Sequence, residues 1–473
     1  MRAALLGLML VTGAAAAPPA AQAQSLSAPS RPRTPATTSP FMGGVPAGVA
    51  TADTIPLSLG DALNRALEHN LGVLTSNDSI DAARGSRVVA LSQLLPNLSG
   101  HVIETRQKIN LEVFGFPLPP GIPPVVGPFN VFDARLLFSQ AVLDFGALNE
   151  KRSEEHKVAA AEHSYKDARD LVVLVTANLY LEALAAAART DAARAQLDTA
   201  RTLYSQAVDL RQGGLVAGID VLRAQVQVNA ERQRVTAAAN EFEKAKLQLA
   251  RVIGLPVGQA FALSDQMPFA PAPEMSLDQA VERAYKSRSD YLAALERVRA
   301  AEASRAAASG SLLPSVKIVG DYGAIGLTAG TSTATYSLAG AVNVPIFQGG
   351  KVHGRLQEID AELRSLRAQA DDLKAGIYYD VRTAFFDLEA SRELLQVATE
   401  ARDLAARELA QARDRFAAGV ADNIEVVQAQ QTVSLNAESY ISALYGYNVS
   451  KAMLARALGI AEQAVREYLG GSR

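Results

Sequence analysis

One proline-free stretch, from Gly349 to Arg415, limits what this chain can fold into more than any other. Its apolar residues alternate at steps of four and three: Val352, Leu356, Ile359, Leu363, Leu366, Ala370, Leu373 and Ile377. Such a repeat keeps one apolar seam against the same partner and predicts a left-handed coiled coil. A single helix over the stretch would be about 100 Å long at ~1.5 Å per residue, too long for a compact domain of ordinary size. The Glu, Arg, Asp and Lys residues beside the seam exclude a membrane-spanning helix.

The N-terminus has the pattern of a secretory signal peptide, residues 1–23. Arg2 precedes a run of apolar and small residues from Ala4 to Ala17, and Ala21-Gln22-Ala23 fits the small-x-small cleavage pattern. A retained membrane anchor is the alternative, but the run is shorter than the ~20 residues that a spanning helix needs. Residues 24–56 are rich in Pro, Ser, Thr and Ala, which predicts a disordered linker.

Export without a later spanning helix leaves the periplasm, the exterior, or an outer membrane that is entered through β-strands. The chain has 46 basic and 49 acidic residues and no basic tract, so we predict no nucleic-acid partner. It has no cysteine, which excludes disulfides, thiolate metal sites and an acylated N-terminal cysteine. The motifs HExxH, GxSxG and GxGxxG and a phosphate-binding loop do not occur, and we predict no enzyme activity, cofactor or metal.

The chain is a tandem duplication, because landmarks recur at constant spacings. Two pairs of landmarks are 218 residues apart and two further pairs are 205 apart: Ser58 and Ser276, Pro96 and Pro314, then Gly214 and Gly419, Gly254 and Gly459. The Pro-rich segment 116–128 accounts for the surplus of the first copy. We place the first repeat at 57–255, a linker at 256–274, the second repeat at 275–460 and a C-terminal tail at 461–473.

Each repeat is predicted to contain two strands and two long helices. Apolar and polar residues alternate singly in Phe132-Asp133-Ala134-Arg135-Leu136, a pattern of half-buried strands and equally of lipid-facing barrel strands. The predicted strands lie at about 98–110, 130–143, 315–326 and 334–346. The predicted long helices lie at about 146–211, 219–254, 349–416 and 423–458, and a glycine-bearing turn separates each pair.

Together, the signal peptide, the duplication, the strands and the heptad-bearing helices around glycine turns resemble the TolC-like outer-membrane efflux proteins. The turns carry the more specific motifs, Gly214-Leu215-Val216-Ala217-Gly218-Ile219-Asp220 and Phe416-Ala417-Ala418-Gly419-Val420, and the resemblance covers nearly all of 57–460. It implies a mainly α fold with a small β part. The long antiparallel coiled-coil helices of three copies would form an α-barrel, and four strands per chain would complete a twelve-stranded transmembrane β-barrel. Four strands alone leave open edges, whose backbone groups cannot stay unpaired in lipid.

The function implied by the resemblance is that of a passive exit duct in a tripartite efflux or type I secretion system. Drugs, toxic solutes or secreted proteins would cross the periplasm and outer membrane through it. The implied partners are two further copies, a periplasmic adaptor (membrane fusion) protein, an inner-membrane pump and outer-membrane lipid. The alternative is a periplasmic coiled-coil adaptor or scaffold without a membrane barrel, which does not explain two matched strand pairs.

Acids at the turns are candidates for a pore gate. Matched position by position, the acids that project into the closed pore end in this family fall on Asp220 and Glu425, and a position that is often a second acid is Gln428. A helix N-terminus is the simpler explanation, because it favours an acid by ~0.3–1 kcal/mol without any pore. The two explanations are compatible, since three-fold symmetry brings copies of each acid around one axis.

The turns also place apolar residues where a monomer should be polar, and the resemblance implies that an adaptor hairpin docks there. The predicted docking residues are Gly214, Leu215, Val216, Ala217, Gly419, Val420 and Ala421. The alternative for the apolar side chains is packing between the two hairpins. Both Gly214 and Gly419 are expected to end helices at positive φ.

Overall fold

The computed structural model describes residues 39–469, apart from Phe116, Leu118, Leu215, residues 272–274, Gly419, Ala421 and Asp422. The predicted signal peptide and residues 24–38 lie outside this described part. The first repeat contains β1 (Ile55–Leu57), α1 (Leu59–His69), α2 (Leu71–Ser92), β2 (Asn97–Asn110), β3 (Val125–Leu143), α3 (Phe145–Gln212) and α4 (Gly218–Val252). β4 (Phe261–Leu263) follows in the segment between the repeats. The second repeat contains α5 (Leu277–Ser287), α6 (Ser289–Gly310), β5 (Ser315–Gly326), β6 (Thr333–Asn343), α7 (Lys351–Ala417) and α8 (Asn423–Ala457), and α9 (Ala461–Tyr468) follows.

Both repeats begin with the same local structure. Ser58 and Ser276 are the N-caps of α1 and α5, and each forms a capping box with the residue three positions later, Asp61 or Gln279. A capping box satisfies backbone N–H groups that a helix N-terminus leaves without partners. The spacing of 218 residues therefore relates two copies of one helix start.

The long helices form two hairpins, α3 with α4 and α7 with α8. Because α3 has 68 residues and α7 has 67, each extends about 100 Å at ~1.5 Å per residue. The apolar seam between Val352 and Ile377 is buried or half-buried at every predicted position. Its partner is α6, and an ion pair between Arg305 and Asp360 (2.6 Å) joins these two helices. The C-terminal part of α7 packs against α8.

Four strands form one antiparallel sheet in the order β2-β3-β5-β6. The strands of each repeat pair with each other, and the central β3–β5 ladder joins the two repeats. Alternate residues of β3 lie on opposite faces: Phe132 and Leu136 lie on an apolar face, whereas Arg135 lies on the other face and is paired with Asp133 (2.6 Å). Within the described residues, β2 and β6 each have a strand neighbour on one side only.

The largest hydrophobic core lies where the two repeats meet around α3. Tyr180 and Leu249 of the first repeat and Ile377 and Leu454 of the second are fully buried in it. Of the described helices, α3 is the one that is long and apolar enough to cross a membrane by length and composition, but 61% of its most apolar window is buried inside the fold. That burial is typical of a core helix.

Residues 39–56 are folded, so the prediction of a disordered linker over 24–56 is wrong for this part. Pro40–Met42 form a 3-10 helix, and β1 pairs in parallel with β4 of the predicted 256–274 linker. The backbone of Gly44 lies so close to α4 that a Cβ atom there would be 2.6 Å from the Arg251 carbonyl oxygen. The small and turn-forming residues that suggested disorder instead let this segment follow the core closely.

The predicted C-terminal tail, 461–473, is also a folded element as far as Leu469. α9 packs against α3 and α8 and buries Ala461, Val465 and Leu469. The Asp170 carboxylate accepts a hydrogen bond of 2.9 Å from the backbone N–H of Glu462, in the first turn of α9. The tail prediction is wrong here because the apolar residues of this segment complete the core between the repeats.

Lys451 of α8 holds two segments in place, the inter-repeat segment 256–274 and α9. Its side chain is fully buried, and Nζ donates to the carbonyl oxygens of Ala270 (3.1 Å) and Tyr468 (2.7 Å). The ammonium group also lies 4.9 Å from the centroid of the Tyr447 ring. Burial lowers the pKa of Lys451 to about 8, because a charge is unfavourable away from water.

Gly254 and its counterpart Gly459 occupy places that exclude a larger residue. Their φ angles are +63° and +68°, in the left-handed region that glycine favours. A Cβ atom at 459 would lie 2.7 Å from Cα of Arg288, and one at 254 would lie 2.6 Å from the Val45 carbonyl oxygen. In the second repeat, Gly459 thus lets the end of α8 dock on the α5–α6 corner.

We expect Gly459→Ala to lower the unfolding temperature of the purified protein, because the methyl group must displace the α5–α6 corner and strain the backbone by ~1–3 kcal/mol. Gly446→Ala is the matched control: Gly446 lies within α8 with open space at its Cβ position, and alanine favours a helix by ~1 kcal/mol. Scanning fluorimetry in detergent compares the two variants. A Gly459→Ala protein as stable as wild type would contradict the close-docking argument.

Candidate pore gate at the hairpin tips

The first hairpin turns between α3 and α4. Gly214, two residues after the end of α3, has φ +73°, as expected for a glycine that ends a helix. A Cβ atom there would meet nothing within 4 Å, so the torsion angle and not crowding requires glycine. Ala217 is the N-cap of α4 and provides no side-chain cap. The predicted docking residue Leu215 lies outside the described residues.

The second hairpin turns between α7, which ends at Ala417, and α8, which begins at Asn423. Two predicted docking residues of this turn, Gly419 and Ala421, lie outside the described residues. Between them, Val420 is 67% exposed. Its backbone N–H donates to the carbonyl oxygen of Arg415, which fixes Val420 against the end of α7.

Asp220 lies in the first turn of α4, where the orphan N–H groups and the helix dipole favour an acid. Its Oδ1 lies 3.2 Å from Nη1 of Arg223, one turn along the same helix. The Asp220 side chain is 18% exposed and that of Arg223 is 47% exposed. The carboxylate is therefore partly shielded and its charge is compensated within its own helix.

Glu425 occupies the corresponding first turn of α8. Its Oε1 lies 3.0 Å from Nε of Arg415 in the last turn of α7, so this ion pair connects the two helices across the turn. Both side chains are about half exposed, at 42% and 57%, and such a pair contributes at most ~1 kcal/mol to stability. Gln428, the third predicted gate residue, has an exposed neutral side chain one turn further along α8.

Apolar packing joins the two hairpins just behind their tips. One buried cluster combines Leu203 of α3 with five residues of the second hairpin: Leu409, Ala412, Phe416, Val426 and Ala429. Val216 is half-buried against this cluster, so packing between the hairpins explains its apolar side chain. Ala217 and Val420 remain exposed and available to another molecule.

The two arginines are site residues that the sequence reasoning missed. Asp220 and Arg223 have the i, i+3 spacing of a helical ion pair, which was a readable signal. No periodicity relates Arg415 to Glu425, because a turn separates them. Each tip therefore presents an acid that is paired with an arginine. In the described part of the chain, no group of three or more His, Cys, Asp or Glu side chains could hold a metal ion.

The sequence matches the model of the family described as outer membrane efflux protein, over residues 62–255 and 280–460. These two matched segments fall within the two repeats. Outer membrane protein TolC of Escherichia coli (strain K12) is 22% identical over 347 residues, which are 70% of this chain and 70% of TolC. The pyoverdine export outer membrane protein OpmQ of Pseudomonas aeruginosa is 25% identical over 431 residues, 87% of each chain.

Solved structures share the fold. The CmeC outer membrane channel of Campylobacter jejuni matches with a TM-score of 0.72 at 18% identity, over 87% of this chain and 89% of CmeC. The open state of the MtrE outer membrane channel of Neisseria gonorrhoeae matches with a TM-score of 0.72 at 18% identity, over 88% of this chain and 94% of MtrE. The long helical hairpins and the small sheet are therefore one known architecture.

We expect Phe416→Ala to loosen the contact between the hairpins, because removing a buried ring leaves a cavity and costs ~3–5 kcal/mol. Hydrogen–deuterium exchange should become faster in peptides of α3 and α8 that contain Leu203 and Val426. Val420→Ala is the control, since that side chain is 67% exposed and loses little packing. Equal exchange in the two variants would argue against tight packing at the tips.

Proposed function

This chain belongs to the outer membrane efflux protein family, and on that premise we propose that three copies of it form the exit duct of a tripartite efflux or type I secretion system. The family assignment confirms the predicted outer-membrane efflux function and the predicted location, in the outer membrane with a large periplasmic portion. It favours this function over the predicted alternative of a periplasmic adaptor without a membrane barrel.

The open edges of the four-stranded sheet carry the proposal of a trimer. β2 and β6 are the outer strands of the sheet, and their unpaired backbone groups would each cost several kcal/mol in lipid. Pairing β6 of one copy with β2 of the next is a head-to-tail contact, and such contacts form a closed ring when the rotation closes. Three copies give twelve strands, and the ring then has no edge.

The helical part supports the same assembly. Several large apolar side chains of the rods are exposed in the single chain: Ile219, Leu222 and Val226 on α4, and Leu394, Val397 and Leu404 on α7. Those of α4 follow steps of three and four, so they form one stripe on a helix surface. An apolar stripe on a long rod indicates a protein partner, and neighbouring copies in a ring would cover it.

Transport through this duct is passive in the proposal, and energy comes from an inner-membrane pump. Drugs, toxic solutes or secreted proteins pass along the inside of the ring, and the outer face of the β-barrel contacts outer-membrane lipid. A periplasmic adaptor joins the pump to the tips, where Ala217 and Val420 supply exposed apolar surface. The predicted docking residues Leu215, Gly419 and Ala421, which lie outside the described residues, belong to the same proposed docking surface, together with Gly214 and Val216.

The gate in this proposal consists of Asp220 and Glu425 with their arginine partners, and Gln428 lies beside it. Three-fold symmetry would place three copies of each ion pair around the axis. The Glu425–Arg415 pair joins the ends of α7 and α8 within each chain, and three such pairs would surround the opening. An acid that is only partly compensated also attracts cations into a narrow opening.

We expect Asp220→Asn with Glu425→Gln to raise single-channel conductance and weaken cation selectivity in planar bilayers. The change removes two carboxylates per chain, so the electrostatic potential at the tip becomes more positive. It also leaves Arg223 and Arg415 without these partners, so the ion pair that joins α7 to α8 is lost. Glu282→Gln is the control, because Glu282 is an exposed, ion-paired acid on α5 far from the tips in sequence. A double variant with wild-type conductance and reversal potential would remove these acids from the gate.

Val420→Asp should abolish efflux, measured as sensitivity to a drug panel, while heat-modifiable trimers still form in the outer membrane. The side chain is 67% exposed, so a carboxylate there is tolerated by the fold but not by an apolar partner surface. Val420→Ala controls for side-chain loss. Normal resistance with Val420→Asp would count against adaptor docking at this residue, whereas a soluble periplasmic protein without trimers would reject the duct itself.

A further inference from the structure

Three helices of one chain line a partly open cavity of about 330 Å³ behind the tips, where α4 of the first hairpin approaches α8 of the second. Its polar lining includes Gln196 of α3, Glu231 of α4 and Ser434 of α8. Alanines form much of the remaining wall, among them Ala193, Ala238 and Ala437. The wall of the cavity therefore combines small side chains with oxygen-bearing and charged groups.

Among the described residues, only one of the two carboxylate oxygens of Glu231 accepts hydrogen bonds. Its side chain is fully buried, and Oε1 accepts hydrogen bonds from Nε2 of Gln227 (2.7 Å) and Nη1 of Arg234 (2.9 Å). Oε2 is buried and has no hydrogen-bond partner among the described residues. A buried carboxylate oxygen without a partner is unfavourable by ~1–3 kcal/mol or more. Its position in a cavity therefore indicates a ligand.

Three other side chains on α3 and α8 also have a buried oxygen without a partner, and two of them, Gln196 and Ser434, line the cavity. Oε1 of Gln196, Oε1 of Gln430 and Oγ of Ser434 are buried without a partner in the described structure. Gln430 is fully buried one helical turn before Ser434, and its Nε2 donates to the carbonyl oxygen of Gln196 (3.3 Å). Of these residues, Gln196 and Ser434 line the cavity together with Glu231 and supply three oxygens, and the carboxylate and amide oxygens among them can only accept.

The positive charges around the cavity are already engaged. The Arg234 guanidinium pairs with Glu231, and Arg189 donates through Nε to Glu438 (2.7 Å) and through Nη2 to Ser442 (3.1 Å). The lining is thus balanced in charge, and the oxygens that lack partners are acceptors. Such a site suits a positive ligand better than an anion.

We infer that this cavity binds a partly hydrated monovalent cation, Na⁺ or K⁺, through Glu231, Gln196 and Ser434. Hard cations prefer carboxylate, amide and hydroxyl oxygens. One carboxylate that already pairs with an arginine gives too little negative charge for a divalent ion, which takes six or more oxygens. The volume leaves room for water, since a water molecule fills ~30 Å³ of liquid. A bound cation would fasten α3 and α4 to α8 and so hold the two hairpins together.

The test measures the unfolding temperature of the purified full chain in NaCl, KCl and choline chloride at equal ionic strength. Methyl and methylene groups surround the charged nitrogen of choline, so the oxygens of the site cannot coordinate it directly, and choline therefore controls for screening and chloride. A saturable rise in unfolding temperature with Na⁺ or K⁺, but not with choline, is the expected result, because a ligand of the folded state stabilises it by mass action. For Na⁺, broadening of the ²³Na resonance that excess K⁺ reverses reports binding directly.

Two variants locate the ion. Glu231→Gln keeps the shape of the side chain and should lose the cation-specific shift, and Ser434→Ala should move saturation to higher concentration. Glu438→Gln is the matched control, since Glu438 lines the same cavity but is bonded to Arg189, and it should retain the shift. Identical wild-type behaviour in Na⁺, K⁺ and choline means that only water fills the cavity and overturns the proposal. Retention of the shift in Glu231→Gln overturns it as well.

Discussion

A helix of 68 residues cannot bury its own apolar side chains, and the whole structure follows from covering such helices along their length. Six other helices pack against α3: α1, α2, α4, α6, α8 and α9. The short helices near the sheet therefore replace the hairpin partners that cover α3 and α7 nearer the tips. Where a single chain supplies no cover, as at Leu222 and Val226 of α4, apolar side chains remain exposed, and the proposed ring would cover them with a neighbouring copy.

The sequence predicted those elements whose residues recur at regular spacings. The seam from Val352 to Ile377 predicted α7, and the spacing of Ser58 and Ser276 predicted two equivalent helix starts, which both have capping boxes. The partner of the seam was not predictable, because a heptad pattern gives a helix its apolar face but does not name the helix that covers it. Near the sheet that partner is α6, whereas α8 covers the other end.

Short elements escaped prediction because their stability is entirely tertiary. β1 has three residues and pairs only with β4, more than 200 residues later, so no local pattern identifies it. α9 does have apolar residues at helical spacing, Ala461, Ala464 and Val465, but their burial depends on α3 and α8. Composition was misleading for residues 39–56, which contain β1. Prolines and glycines are common in disordered chains and also in segments that pack closely against a core.

At the tips, sequence position identified the acids and missed what neutralises them. Matching the turn motifs to the resembled family pointed to Asp220 and Glu425, and both lie at helix starts, which favour acids. The pairing of Glu425 with Arg415 depends on how closely two helix ends approach each other across a turn, which spacing does not give. The pairing changes the electrostatics of the proposed gate. An unpaired acid would contribute only its negative charge, whereas an acid bonded to an arginine also contributes a contact that can break.

The two repeats show which contacts the backbone requires and which side chains can vary. Gly254 and Gly459 dock on the short-helix corners in both repeats, because any Cβ atom would collide there. The residues at those corners, Asn70 and Arg288, are 218 apart and both buried, yet their chemistry differs. Asn70 donates to the carbonyl oxygens of Phe41 and Val252, which a neutral amide can satisfy.

Arg288 places a positive charge at the corresponding buried corner of the second repeat and therefore needs carboxylate partners. It donates to Asp290 and to Asp380 of α7, at 2.6 Å each. Burial alone would raise the pKa of Asp290, but the hydrogen bonds from Arg288 hold that pKa below its usual range. Losing one member of a buried pair typically costs ~3–5 kcal/mol, so the guanidinium and its carboxylates must be kept together. The duplicated backbone thus places a buried hydrogen-bond donor at the same position in both repeats. A buried donor needs an acceptor, and the acceptors are carbonyl oxygens in the first repeat and carboxylates in the second.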